Sequence, residues 1–422
     1  MGTIKIHIHK FGPINDKVVE FAPFLIFTGN SNLGKSYVNY IFHYLMHSIV
    51  ENMRGFLSGK GESERIEISL RDVAGWLDGN IQQYMRGFLG DGTLECDVHF
   101  DITIKSDPHS SKYVIESMQD KIVSDKEEAI SDILAVKING RPMFRSIVQK
   151  NTSIKDLREL VASFSLSRYI QEQLFGSYFD EVVILPPSRG ALAGESFSVK
   201  DKVSSSMGMY ERFNAVMDKM MRVSPDQKSD SDVFAMHIAK LIKGNLIVEK
   251  NEQYFVTRDG RKLSLRAAAS SIKELSPLLL AVQNRVSDRI SFCMEEPEAH
   301  LHPQMQIEVM DFIAYCRNRG MFFQITTHSD YFLQRFNQLI KLGSIREKSQ
   351  DRYAELVNKI EVPSDLYMTT EGVKAYFFEK DVKGDVDIRE LQVTDRGIEM
   401  MTFFDVVRDI QNAEEKINDY LG

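Results

Sequence analysis

Eight consecutive residues, Gly29-Asn30-Ser31-Asn32-Leu33-Gly34-Lys35-Ser36, fit the pattern G-x-x-x-x-G-K-S. The chemistry of that spacing is phosphate binding. Inward-turned backbone N–H groups cradle oxyanions at a helix N-terminus, the Lys35 ammonium reaches β and γ phosphates, and the Ser36 hydroxyl ligates Mg²⁺. The pattern also occurs in unrelated loops, so its flanks decide. Residues 24–28 form a continuous apolar run of the buried-strand kind, and residues 37–50 carry helical spacing. Strand, loop and helix are the context the phosphate reading requires.

A second constellation is Ile290-Ser291-Phe292-Cys293-Met294-Glu295-Glu296-Pro297-Glu298, an apolar strand ending in adjacent carboxylates. Ligands of parallel α/β sheets bind at that end of the strands. Successive side chains on a strand point oppositely, so Glu295 and Glu296 must act differently, one supporting a Mg²⁺ shell and the other reaching a water in line with the γ-phosphate. The plain alternative is a pair of solvated glutamates. A third run, Met321-Phe322-Phe323-Gln324-Ile325-Thr326-Thr327-His328-Ser329-Asp330, is another buried strand, and His328 at its end can hydrogen-bond a γ-phosphate or serve as an ordinary structural histidine.

Ala268-Ala269-Ser270-Ser271-Ile272-Lys273-Glu274-Leu275 opens a helix. Ser270 or Ser271 either caps that helix or, with its exposed N–H groups, faces a γ-phosphate held by a neighbouring subunit. Arg189 is either a charge clamp or a surface residue. His300 and His302 follow Pro297 in a loop and belong to loop structure and subunit contact rather than to a metal pair. His43 and His47, one helical turn apart with no carboxylate motif beside them, read as packing residues.

The elements that must position these groups read as an α/β chain. Residues 4–9, 18–21 and 24–28 form an N-terminal β meander, and 181–185, 290–294 and 321–326 are core strands alternating with helices at 304–317 and 331–342. Strands at 65–70, 94–105 and 133–138, with a helix over 154–175, read as an accessory lobe. A Ser-rich loop covers 191–207, helices follow at 209–222 and 232–243, and a small β unit turns at Asp259-Gly260. The expected domains are 1–50 with the phosphate loop, an inserted lobe at 51–180, the rest of the core at 181–345 and an α/β extension at 346–422.

With 422 residues, 43% hydrophobic and 27% charged, the chain can bury a large core. Its net charge of −8 confines any DNA contact to a local patch. Cys96, Cys293 and Cys316 are widely spaced in apolar patterns and read as buried small residues. No apolar run approaches the roughly 20 residues of a membrane span, and the first ten residues alternate like a strand rather than a secretory signal. The expectation is a cytoplasmic protein without membrane partners.

The order and wording of these motifs resemble the ABC-type ATPases of the SMC and RecF group, most closely its OLD-like branch. Met294-Glu295-Glu296-Pro297-Glu298-Ala299-His300-Leu301-His302-Pro303 is similar to that branch's acidic strand and following loop, and Thr326-Thr327-His328-Ser329 resembles its switch histidine. Phe11-Gly12-Pro13 and Leu185-Pro186-Pro187-Ser188-Arg189 fit as well. The resemblance covers both ends of the chain but not residues 51–179. It implies a P-loop ATPase head with a mostly parallel core sheet, an N-terminal β subdomain and an inserted mixed lobe. It implies ATP sandwiched between two heads, with Glu295 for magnesium, Glu296 as catalytic base and Ser270 in contact across the dimer. Ser271 departs from the glycine usual after that serine. Many OLD-like proteins carry a TOPRIM nuclease; residues 358–422 are too short for one, and Asp385 and Asp387 lack the rest of its metal site.

The resemblance points to stand-alone ATPases of bacterial anti-phage systems such as PARIS and Septu. The expectation is therefore an ATP- and Mg²⁺-dependent homo-oligomer, a dimer or a multiple of dimers, that senses infection and controls a separate nuclease or toxin. A RecF-like or SMC-like DNA repair ATPase, and a scaffold whose ATP is structural, are the alternatives.

Overall fold

The computed structural model describes residues 2–58, 63–104, 112–123, 130–148, 154–192, 208–222, 232–249, 252–285 and 288–421. The chain divides into two compact units. One comprises Met1–Phe21, Tyr40–Val182 and Arg289–Ser291, the other Ala22–Asn39, Val183–Asp288 and Phe292–Gly422.

The first unit holds two antiparallel sheets. In one, Thr3–Phe11 lies between Ile14–Glu20 and Cys96–Thr103. Alternation sets its faces: Ile4, Ile6, Ile8, Val98 and Phe100 point into the core while the residues between them stay wetter. The other runs Arg65–Ser69, Lys112–Val123, Ile130–Ile138, Arg141–Val148. Two helices, Leu70–Leu89 and Ile154–Phe175, complete the larger elements. Leu70–Leu89 and the strands Lys112–Val123 and Arg141–Val148 are additions to the sequence expectation. Ser69 starts Leu70–Leu89 with a capping box to Asp72, and Gly90 ends it at φ 70°. Residue 70, expected to end a strand, is instead helical.

The second unit is built on a six-stranded sheet ordered Val386–Leu391, Val373–Lys380, Phe24–Gly29, Phe322–Thr326, Ile290–Glu295, Glu181–Leu185. Phe24–Gly29 runs parallel to both of its neighbours, and Val386–Leu391 is antiparallel at the edge. All six residues of Phe24–Gly29 are buried, as a strand covered on both faces requires. The strand beside the phosphate-loop strand, Val373–Lys380, comes from the part of the chain read as an extension. Pro303–Arg317 and Asp330–Lys348 are the expected core helices, the latter seven residues longer than its spacing suggests. The small β unit forms as expected from Gly244–Glu249, Glu252–Thr257 and Lys262–Ser264. Of the expected Ser-rich loop, residues 191 and 192 belong to the short helix Arg189–Leu192, and 193–207 lie outside the described residues. All three cysteines are buried and free, and no helix among the described residues is long and apolar enough to cross a membrane.

Candidate active site

The strand Phe24–Gly29 stops at a glycine because nothing else fits. Gly29 has φ 114°, and a Cβ there would sit 2.2 Å from the Phe378 carbonyl oxygen. That carbonyl accepts the Asn30 N–H at 2.9 Å, which ties the loop to its neighbouring strand. Asn32 at φ 61° and Gly34 at φ 91° turn the chain before the helix Lys35–Val50. Lys35 is buried, and its Nζ donates to the Gly29 and Asn30 carbonyls at 3.2 and 2.6 Å, so the ammonium lies inside the loop. Burial lowers its pKa from 10.5 to about 8, against the opposing pull of Glu296, Glu295 and Glu298.

The two adjacent glutamates diverge, as strand geometry demands. Glu295 is buried, with Oε2 accepting from Ser36 Oγ at 2.5 Å and Thr326 Oγ1 at 3.0 Å, and Oε1 accepting from Asn39 Nδ2 at 2.8 Å. Burial raises its pKa, and these donors oppose the rise. Glu296 is only half-buried. Its backbone takes φ 42°, an uncommon conformation for glutamate, held by its N–H donating to Thr326 O at 3.0 Å and Oγ1 at 3.3 Å. His328 lies close enough that both Lys35 and Glu296 act on it; partial burial, then Lys35, lowers its pKa while Glu296 opposes.

Three supporting groups escaped the sequence reading. Asn39 stands three residues after Ser36 on the same helix face, which was the available signal. Thr326 bridges Glu295 and the Glu296 backbone. Glu298 accepts from Thr327 Oγ1 at 2.9 Å and from the His328 N–H at 2.6 Å, so it fixes the turn that carries the histidine. Its other oxygen is buried without a hydrogen-bond partner among the described residues, and burial raises its pKa.

Arg189 is neither a surface residue nor a clamp for phosphate or a partner. It is fully buried, and donates to the carbonyls of Glu274 at 3.0 Å, Glu295 at 2.7 Å and Glu296 at 3.3 Å. One guanidinium thereby joins the helix Ser270–Gln283 to the acidic turn. The capping reading of that helix start is also corrected: its N-cap is Ala269, with no side-chain cap bond, and Ser270 and Ser271 are already helical. Ser270 is exposed and Ser271 half-exposed. His302 caps Pro303–Arg317, its Nδ1 accepting from the Gln304 N–H at 3.4 Å, while His300 occupies φ 58° in the preceding loop. His43 and His47 are buried and stacked on one another, His43 Nδ1 lying 3.1 Å from the Tyr84 hydroxyl.

The donor set suits magnesium: the Ser36 hydroxyl and the Glu295 carboxylate are hard oxygen ligands brought together from two elements. A glycine-cornered loop, an enclosed ammonium, a buried and a half-buried carboxylate and a histidine converge on the C-terminal ends of Phe24–Gly29, Ile290–Glu295 and Phe322–Thr326. The fold is α/β, a six-stranded mixed sheet with the G-x-x-x-x-G-K-S loop between a buried strand and a helix. Residues 145–334 match the family described as "AAA domain, putative AbiEii toxin, Type IV TA system". That match takes in Glu295, Glu296 and His328 but not the phosphate loop, and spans less than half of the chain. No curated protein matches. Among solved structures, an SMC head bound to the C-terminal winged-helix domain of ScpA is 13% identical at TM-score 0.43, covering 92% of this chain and 97% of that one. The SMC head domain from Thermotoga maritima is 11% identical at TM-score 0.34, with 93% and 100% covered. An SMC head with an extended coiled coil, bound to the C-terminal domain of ScpA from Pyrococcus furiosus, is 11% identical at TM-score 0.36, with 99% and 100% covered.

Proposed function

We propose that this chain binds and hydrolyses ATP as a homo-oligomer, and that its ATP-driven pairing controls a separate nuclease or toxin in a bacterial anti-phage defence complex. The observation that carries the ATPase reading is the direct contact of Ser36 with Glu295 beside an ammonium enclosed by its own loop. Lys35 holds the β and γ phosphates. Mg²⁺, with Ser36 and Glu295 as its protein ligands, would neutralise charge on the phosphate oxygens. Glu296, half-exposed and held at its own backbone angle, takes the proton of the attacking water. His328 hydrogen-bonds the γ-phosphate, and its fixed turn on Glu298 reports whether that group is present. Ser270 and Ser271 face the nucleotide of the neighbouring copy. The defence role draws on the OLD-like wording of 294–303 and on the toxin-system description of the family matched over 145–334.

Phosphate release by the purified chain tests the first half. Lys35→Ala is expected to abolish nucleotide binding, and Glu296→Gln to keep binding while losing turnover; normal ATP affinity in Lys35→Ala refutes the site, and a harmless Glu296→Gln reverses the roles of the glutamates. Turnover far below about 1 per second, the low end of typical enzymes, favours a structural nucleotide. Co-purification from the native operon, with and without ATP, tests the second half, and a single-component assembly that protects cells from phage unaided defeats it.

Action on DNA has one observation in its favour. The Tyr178 ring is flanked by two guanidinium groups, Arg168 at 3.8 Å and Arg289 at 3.5 Å, a cationic pair of the kind that contacts a nucleic-acid backbone. Salt-dependent DNA binding that Arg168→Glu removes would favour this second reading.

A further inference from the structure

The helix Met401–Leu421 leaves residues 409–420 exposed throughout. Ile410 is 59% exposed, Ile417 60% and Tyr420 95%, large apolar surfaces on one element. Their placement is regular. Phe403, Val406, Ile410, Ala413, Ile417 and Tyr420 recur at alternating spacings of three and four, which are the a and d positions of successive heptads. Glu415, Asn412, Asn418 and Asp419 occupy the opposite face. A helix written this way is made to lie against another helix, and the charges beside the seam state which one.

In the same register Asp409 and Lys416 fall at g positions and Glu414 at an e position. Parallel pairing of two copies would set Asp409 against the partner's Glu414, like against like. Antiparallel pairing about the midpoint between Ile410 and Ala413 does the reverse: Asp409 meets the partner's Lys416, and symmetry makes that contact twice. The same arrangement stacks Ile410 on the partner's Ala413 and brings Ile417 and Tyr420 into the seam. The carboxylate of Asp409 lies 3.9 Å from Arg408 Nε, but both are strongly exposed, and such a pair yields readily to a better one.

We infer that the helix Met401–Leu421 pairs antiparallel with the same helix of a second copy, joining two chains without nucleotide. The seam does not use Lys35, Glu295 or Glu296, so the inference stands apart from the proposed hydrolysis. Sedimentation of the nucleotide-free full chain tests it. The chain is expected to be dimeric, and to remain so in Lys35→Ala. Ile417→Asp should weaken association at least tenfold, with circular dichroism and ATP affinity unchanged to show that the fold survives. Asp409→Lys should weaken it several-fold by setting lysine against lysine, and Asp409→Lys with Lys416→Asp should restore it. A monomeric nucleotide-free chain, or a dimer indifferent to Ile417→Asp, overturns the inference. So does tightening by Asp409→Lys alone, which would mean that Glu414 and not Lys416 faces position 409.

Discussion

In the proposed site Lys35 meets two opposed demands: it must be charged to hold phosphate, yet the loop that aims it strips its water. Burial leaves the free ammonium with a pKa of about 8, whereas bound phosphate charge must raise it. ATP affinity is therefore expected to be flat below about pH 7 and to fall as pH rises through 8, approaching tenfold per unit as proton uptake becomes coupled to binding. Titration calorimetry of the wild type, with Lys35→Arg as a control that stays flat, checks this. The stability of the free chain should move the other way for this group. A depressed lysine pKa disfavours the folded state while the amine is charged, so that penalty fades as pH climbs from about 8 toward 10.5. Lys35 and the glutamate pair were legible because each belongs to a contiguous motif. Arg189 was not, since its partners are backbone carbonyls, three of them some 85 to 107 residues away, and no side-chain pattern announces a carbonyl. Replacing it with methionine leaves four carbonyls, those of Pro186, Glu274, Glu295 and Glu296, short of a donor and the buried Glu274, 3.9 Å from it, uncompensated. A loss of about 3–5 kcal/mol in denaturant titration is expected, and a loss below 1 kcal/mol would show the clamp to be incidental.

Among the elements, the strand–loop–helix of the phosphate site and the acidic strand could be read directly, because a buried parallel strand writes itself as an uninterrupted apolar run. The helix Leu70–Leu89 was hidden by its glycines at 75, 79 and 87, which read as breaks, although its buried Leu70, Val73, Leu77, Ile81 and Phe88 keep helical spacing after a capping box. The strand Val373–Lys380 could not be found as the neighbour of Phe24–Gly29, since pairing across about 350 residues is decided by the finished sheet and not by local pattern. That pairing has a consequence. Phe378 forms the wall that makes residue 29 a glycine, so Gly29→Ala must move either the loop or the neighbouring strand. We expect it to cost at least about 1–3 kcal/mol from the forced backbone angle alone, read as a lower denaturation midpoint, and to weaken ATP binding together with stability. Unchanged stability would mean that Val373–Lys380 yields easily and is no part of the rigid site.

At the scale of the whole molecule, the question is why a helix start that caps nothing should carry two serines. Ser270 and Ser271 sit in the first turn of Ser270–Gln283 with no cap bond, and the same helix is bound through the Glu274 carbonyl to Arg189, whose other nitrogens hold the carbonyls of Glu295 and Glu296. A phosphate from a second copy, arriving at the helix N-terminus, would therefore press on the turn that sets the catalytic glutamate. In the proposed two-fold pair each site would take its phosphate loop from one copy and its serines from the other. Lys35→Ala kills the first contribution and Ser270→Arg the second, so each variant alone should be inactive. Co-expressed, they form hybrids in which both defects share one site and the other site is wild type throughout. If the two sites fire independently, random pairing gives about a quarter of wild-type ATP turnover from that mixture. Differently tagged copies, purified in tandem and assayed for phosphate release, isolate the hybrids, whose one intact site of two should give about half of wild-type turnover. Recovery of activity requires composite sites, because no exchange of material between two self-contained sites can repair both lesions; an inactive hybrid, or an active Ser270→Arg on its own, removes the serines from the mechanism.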